Sequence, residues 1–412
     1  MKKLLCTLAC LSCISLATAQ KTVTVGDEEL RIRFDGRLTY DGAIYIPQTD
    51  ITPLQYNNAP FRFSNGASLT QMRLGLHAML GDKWSGRFDA NYSDRKVAMT
   101  DAALFWHINR ESKLIMGYFK DPVSMENNTA SKYLSVATPM AVGMLTSGER
   151  YIGVTYARWG KQYWLAAGAY AGSLSSEYLP RANRGNDGYG MSARAAYVPI
   201  DNEYTTLHIG AYGRFRVPDG ISGKLYIGTL PESTIDNRRF VTTSIDQVDN
   251  YWLGGLEAAF KFDKLFITGE YLFNHYNYKD ERGGGYSFVS GWTVTGSYML
   301  LGKQRKYLKG EAVFNPVGNL EHNGGLEVIG RLGSVNLNDT EEKFKGGQAF
   351  AAMLGLNWSP RANLLFGINY SYLDHDRDAR GGNAILITNP SKVSSFDGVD
   401  FHTLQVRAQL IF

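Results

Sequence analysis

TLQVRAQLIF, residues 403–412, sorts its side chains by parity. Leu404, Val406, Ala408, Leu410 and Phe412 are apolar, and Gln405, Arg407 and Gln409 are polar. Successive side chains of a strand point to opposite faces. The stretch is therefore a two-faced strand with an arginine on its polar side. Working back along the chain, the same alternation recurs. In LRIRFDGRL (30–38), Leu30, Ile32, Phe34 and Leu38 alternate with Arg31, Arg33, Asp35 and Arg37. In LTQMRLGLHAML (69–80), Met72, Leu74, Leu76, Ala78 and Leu80 alternate with Gln71, Arg73 and His77. Helical periodicity is nearly absent, so the chain reads as all-β.

The first residues follow another rule. Lys2 and Lys3 precede an apolar run from Leu4 to Leu16 and then Ala17-Thr18-Ala19. This is the pattern of a secretory signal peptide, with removal expected after Ala19. One domain, 20–412, would remain. Cys6, Cys10 and Cys13 all lie in the leader, so the mature chain has no thiol, and Cys13 has poor company for lipidation. No later run reaches the ~18 apolar residues a membrane helix needs. The protein is exported.

Two architectures place alternating strands outside the inner membrane. A sandwich turns its apolar faces inward; a transmembrane barrel turns them to lipid and its polar faces to a wet lumen. Arginine on polar face after polar face favours the barrel. So do aromatics near strand ends, namely Trp84, Tyr92, Tyr118, Trp164, Trp252, Trp292, Trp358, Tyr370 and Phe412. The spacing predicts sixteen strands, joined alternately by short turns such as GDK (81–83) and long loops such as 120–149, 218–250 and 375–400. Segment 301–323 is long where a short turn is due. It is read as a connection on the periplasmic side that could fold into the lumen. The expected fold is a 16-stranded antiparallel transmembrane β-barrel, wide enough for an aqueous channel, with strand 401–412 closing against 30–40. Arg407 would then face Arg33 or Arg37 across water.

Parity assigns the lumen. Its bases are Arg31, Arg33, Arg37, Arg73, Arg87, Arg95, Arg194, Arg214, Arg216, Lys261, Arg331 and Arg407. Its acids are Asp35, Asp41, Asp89, Glu257, Glu270 and Glu327. A net charge of +4 says little in bulk and gives no ground for a nucleic-acid partner. Concentrated as arginine in a pore, the excess of base predicts an anion preference, because guanidinium donates to oxyanions in pairs. Opposed charges placed merely to solvate and brace the wall would look similar.

Signatures of catalysis fail. There is no G-x-S-x-G, H-E-x-x-H or Walker loop, and Gly188-Tyr-Gly190 opens a strand rather than a helix. Asp374, Asp376 and Asp378 have calcium-loop spacing, but Ala379 and Ile385 stand where glycine and a bidentate glutamate belong. A solvated turn is the better reading. No enzyme, cofactor or metal is expected.

LIMGYFKDPVSMENNTASKYL (114–134) with SGERYIGVTYA (147–157) resembles the phosphate-selective porin O and P family. So do GGLEVIGRLGSVNLND (324–339), GGQAFAAMLGLNWSPRANLLFGINYSYL (346–373) and FHTLQVRAQLIF (401–412), in that order. The resemblance implies a trimeric outer-membrane porin with an inward-folded constriction loop, here 120–149. It places Lys120 where the strand before that loop ends, Ser124 close behind, and Arg150 where the chain rejoins the wall. It also implies phosphate-like anions as cargo and an outer-membrane assembly machinery that reads the terminal aromatic. Between Lys120 and Arg150 the loop adds only Lys132 as a base, against Asp121, Glu126 and Glu149. The competing expectation is a surface protein whose long loops engage a partner while conduction is incidental.

Overall fold

The computed structural model describes residues 21–25, 27–93, 96–133, 141, 150–172, 188–218, 224–233, 235–280, 283–315, 324–339, 344–388 and 396–412. The leader 1–19 and Arg95 lie outside the described residues.

Sixteen antiparallel strands form the wall. They are β1 (Glu28–Pro47), β2 (Gly66–Leu80), β3 (Trp84–Ser93), β4 (Lys96–Asn109), β5 (Ser112–Lys120), β6 (Arg150–Trp159), β7 (Tyr163–Tyr170) and β8 (Tyr189–Asp201). There follow β9 (Thr205–Val217), β10 (Val248–Phe262), β11 (Leu265–Tyr278), β12 (Tyr286–Leu301), β13 (Gly325–Asp339), β14 (Phe344–Arg361), β15 (Leu364–His375) and β16 (Phe401–Ile411). Each pairs with the next, and β16 returns to β1. Closure gives every wall strand two partners and leaves no edge in lipid.

The seam differs from the expected one in register. β16 pairs with Arg37–Pro47, higher on β1 than Leu30–Tyr40. Below Gly36, the strand Lys21–Val25 folds back onto Glu28–Ile32 and continues the wall where β16 stops. The backbone of Phe412 exchanges hydrogen bonds with Gly36 at 2.7 and 2.9 Å.

Burial follows parity. Phe34, Leu74, Leu104, Leu256, Leu354 and Val406 face outward and are about half exposed or more, whereas Arg37, Arg194, Thr403, Gln405 and Gln409 are buried. Apolar outside and polar inside is the arrangement a lipid-facing barrel needs. Trp84 stacks on Trp106 at 5.8 Å near the short-turn end, and Trp252 packs on Phe215 at 4.7 Å toward the other. Tyr118 and Trp164 correct the girdle predicted from sequence. Both are buried, and Trp164 lies on the inner face under the Arg194 guanidinium at 5.1 Å.

Gly117, which opens GYFKDP, has φ +129°, a backbone that L side chains rarely adopt. A Cβ there would meet the Ala102 carbonyl oxygen across the β4–β5 ladder and stand 3.0 Å from Ala103 Cα. Gly117→Ala is expected to destabilise the barrel by about 2–3 kcal/mol through strain and overpacking. A lower temperature of unfolding in SDS, read as the shift from compact to extended band on gels, checks it.

The long-loop end has an apolar core of its own. Leu54, Phe61, Phe240, Val241, Ile245 and Ile385 from the loops pack on Ala43, Tyr45, Leu373 and Phe401 of the wall. Ile385–Ile387 pairs with Leu54–Tyr56. Asp236 ties this cap down by accepting from the Ser64 amide at 3.0 Å and pairing with Arg238. Burial alone would raise the Asp236 carboxyl, but Arg238 and the Ser64 N–H outweigh it and hold it below the usual carboxylate range. Asp376 accepts from the amides of Asp378 and Ala379 at 3.0 and 2.9 Å, so DHDRD is a side-chain-closed turn.

The segment after β12 enters the barrel, as its length allowed. Its hairpin, Tyr307–Leu308 with Val313–Phe314, rises from the short-turn end. Phe314 packs with its ring tilted against Phe266 at 4.7 Å, and Arg305 pairs with Glu327 at 2.7 Å.

Candidate functional site

The lumen is built from two inward segments and the rows of charge they meet. The loop after β5 starts with Asp121, whose carboxylate takes both guanidinium arms of Arg214 at 2.7 and 2.8 Å. Its helix, Met125–Asn128, is capped by Ser124, whose Oγ accepts from the Asn127 amide at 3.1 Å. The Met125 amide donates to Glu257 and the Glu126 amide to Glu270, each at 2.7 Å. Carboxyl oxygens that accept from free helix amides satisfy donors the helix itself leaves unpaired. Arg331 of β13 reaches Glu126 at 3.7 Å and Glu232 of an outer loop at 3.1 Å. Met125 then packs on Val313, Phe314 and Phe266, so the outer-side loop and the periplasmic-side hairpin touch inside the barrel.

This wedge commits a large share of the predicted anion-pathway residues. Arg194 pairs with Glu257 at 2.7 Å and donates to the Ala312 carbonyl at 2.6 Å. His208 completes that group, 3.0 Å from Glu257 and 2.9 Å from the Tyr307 hydroxyl. Arg216 lies over the Tyr151 ring at 4.0 Å. Arg407 is corrected too. It makes two bonds to Asp41, at 2.7 and 3.0 Å, its direct cross-strand partner, and does not face Arg33 or Arg37 across water. Arg31 sits at the short-turn rim beside Asp82 at 3.6 Å, and Lys261 donates to the Glu203 carbonyl at 3.2 Å.

On β1 to β3 the registers stack the charges in cross-strand rows. Arg37 lies opposite Arg73, and Arg73 opposite Asn91. The next row is Asp35, Gly75, Asp89 and Asp101; the one below is Arg33, His77 and Arg87. Arg87 binds Asp89 at 2.7 Å and reaches Asp101 at 3.4 Å, and Arg150 reaches Asp101 at 3.0 Å. Arg33 is half-exposed and 3.6 Å from Asp35. Asp101 was missed because a bulge between Asp89 and Ala90 shifts the β3–β4 register, and the acid belongs to a strand whose polar face is otherwise nearly uncharged.

Three bases stand apart. Arg37 donates to Ser131 Oγ at 2.7 Å, Lys120 donates to the Asn127 carbonyl at 2.6 Å, and Arg73 lies between Arg37 and Asn91. Among the described residues none of the three pairs with a carboxylate. All three, with Arg150, are electrostatic neighbours.

A closed, outward-apolar barrel with a charged lumen and an inward loop defines an outer-membrane porin. The family model for phosphate-selective porin O and P matches residues 55–412, and the chain belongs to that family. Solved structures share the fold at low identity. The anion-selective porin from Comamonas acidovorans superposes with a TM-score of 0.54 at 14% identity, covering 93% of this chain and 100% of its own. The outer membrane channel DcaP of Acinetobacter baumannii gives 0.53 at 12%, covering 93% and 97%. OmpT, an outer membrane protein of Vibrio cholerae, gives 0.53 at 12%, covering 95% and 100%. No curated protein matches the sequence.

Proposed function

We propose that this porin passes small anions in preference to cations, with phosphate-like oxyanions as its preferred class. The observation that carries the reading is the group Arg37, Arg73 and Lys120, which has no carboxylate partner among the described residues while the other bases are mostly committed. Like charges opposite one another on a sheet are destabilising, so placing Arg37 beside Arg73 does not stabilise the wall. Donors held in place by Ser131 and the Asn127 carbonyl replace part of an anion's hydration, and the wet lumen keeps binding weak enough for release. The solvent-facing apolar belt suits a homotrimer in lipid, and the resemblance supports the same state. Residues 1–19 serve as a leader removed on export, and Phe412 is the signal to the assembly machinery.

The test is reversal potential in asymmetric KCl followed by competition. Phosphate, pyrophosphate and dicarboxylates are titrated against chloride current in the parent and in Lys120→Ala. Anion selectivity is expected, with inhibition by phosphate weakened about tenfold in the variant, the ~1.4 kcal/mol of one charge-assisted hydrogen bond. Cation selectivity in the parent would sink the reading.

A further inference from the structure

We propose that Asp35, His77 and Asp89 form a binding site for a divalent transition-metal ion of the zinc class on the lumen wall. The three residues come from neighbouring strands β1, β2 and β3, and their ligand atoms all lie within 4.8 Å of one another. His77 Nε2 is 3.4 Å from Asp35 Oδ2 and 3.7 Å from Asp89 Oδ1. Both separations exceed ordinary hydrogen-bond lengths. The first matches, and the second lies just beyond, the spacing of two ligands on one tetrahedral ion, since bonds of about 2.0–2.2 Å put ligand atoms roughly 3.3–3.6 Å apart.

Two further observations point to a ligand. Asp89 is 2% exposed, and its Oδ1 is buried without a hydrogen-bond partner, because Arg87 takes only Oδ2. A buried carboxylate oxygen rarely goes unpaired, and this one is aimed at His77. Gly75 lies between Asp35 and Asp89 in the cross-strand row, and a Cβ there would fall on Oδ1 of both and 3.4 Å from His77 Nε2. The missing side chain makes the hollow in which the three donors converge. One imidazole and two carboxylates suit zinc, manganese or iron(II) better than calcium or magnesium. Arg33 and Arg87, each already beside a carboxylate, offset the charge of the acids, so the site favours ions that bond through nitrogen as well as oxygen.

The effect on anion passage rests on the function proposed above; the binding itself does not. The full-length barrel is purified, stripped with EDTA and titrated with Zn²⁺ by calorimetry at neutral pH. One saturable site per chain is expected. His77→Gln should weaken it at least tenfold, and Gly75→Ala, which leaves all three ligands in place, should do the same by filling the hollow. Heat-modifiability on SDS gels confirms that both variants are folded, and Asp89→Asn replaces either that is not. No saturable binding, or equal binding in the folded variants, overturns the proposal. Reversal potentials with and without Zn²⁺ are measured separately. A bound ion that leaves cation selectivity in place counts against the anion reading and not against the site.

Discussion

Replacing Arg37 and Arg73 together by alanine is expected to abolish most of the anion preference while leaving the barrel folded. Neither side chain pairs with a carboxylate among the described residues, so the double variant leaves no buried acid without its partner. One unit charge about 6 Å from a passing ion, at an effective dielectric constant of about 40, shifts its energy by about 1.4 kcal/mol. Salt with a Debye length of about 10 Å removes part of that. A fall of about tenfold in the anion-to-cation permeability ratio is expected for the pair at low salt, shrinking as salt rises. Bilayer reversal potentials at two ionic strengths measure it. An unchanged ratio would place the selective charge elsewhere. The Arg37→Ala change alone also removes the bond to Ser131 and frees that part of the loop. A single Arg73→Ala variant therefore separates lost charge from lost positioning.

The second large effect belongs to Glu257. Its carboxylate accepts from Arg194 at 2.7 Å, from the Met125 amide at 2.7 Å, and lies 3.0 Å from His208. Glu257→Ala leaves a fully buried arginine without its acid and a helix end without its acceptor. Breaking a buried pair in this way costs about 3–5 kcal/mol. The helix Met125–Asn128 is expected to leave the wall, giving a lower unfolding temperature in SDS and a larger, noisier single-channel current. Glu257→Gln keeps the shape and one acceptor, so it should lose about half as much stability. A quiet current of parental size in Glu257→Ala would show that the loop is held by other contacts. Arg407→Ala is a useful comparison, since it takes the charge partner from Asp41 at the seam, leaving it the Thr70 hydroxyl, and leaves the inward helix alone.

Alternation is a local property, and it was enough for the wall. The parity of Leu404 and Arg407 follows from two residues and their neighbours, and the strands predicted from it occur with ends moved by a few positions. The inward course of the segment after β12, described as far as residue 315, followed from a connection too long for its side of the barrel. What parity could not supply was pairing. Arg214 and Arg331 carry the same pattern as Arg73, yet their partners Asp121, Glu126 and Glu232 come from loops that no strand periodicity places. Arg407 and Asp41 are 366 residues apart and meet only through the closing register. Trp164 sits near a strand end as girdle residues do, but on the parity that turns inward. Ser124 carries its motif into the loop, where its hydroxyl serves the helix as a cap.

The hairpin Tyr307–Phe314 rises to meet the helix from the other side, and both are bolted to β8 through β13 by the acids and bases of those strands. That half of the wall is frozen by its own bookkeeping of charge, so a change there tends to cost folding. Arg37 and Lys120 each make one neutral contact with the inward loop, to Ser131 and to the Asn127 carbonyl, and Arg37, Arg73 and Lys120 pair with no carboxylate among the described residues. Cargo preference can therefore drift by single substitutions at these positions while the charge pairs that brace the wall are untouched. A duplicated copy of this chain that came to serve a different solute would be expected to diverge there first, and at Glu257 last.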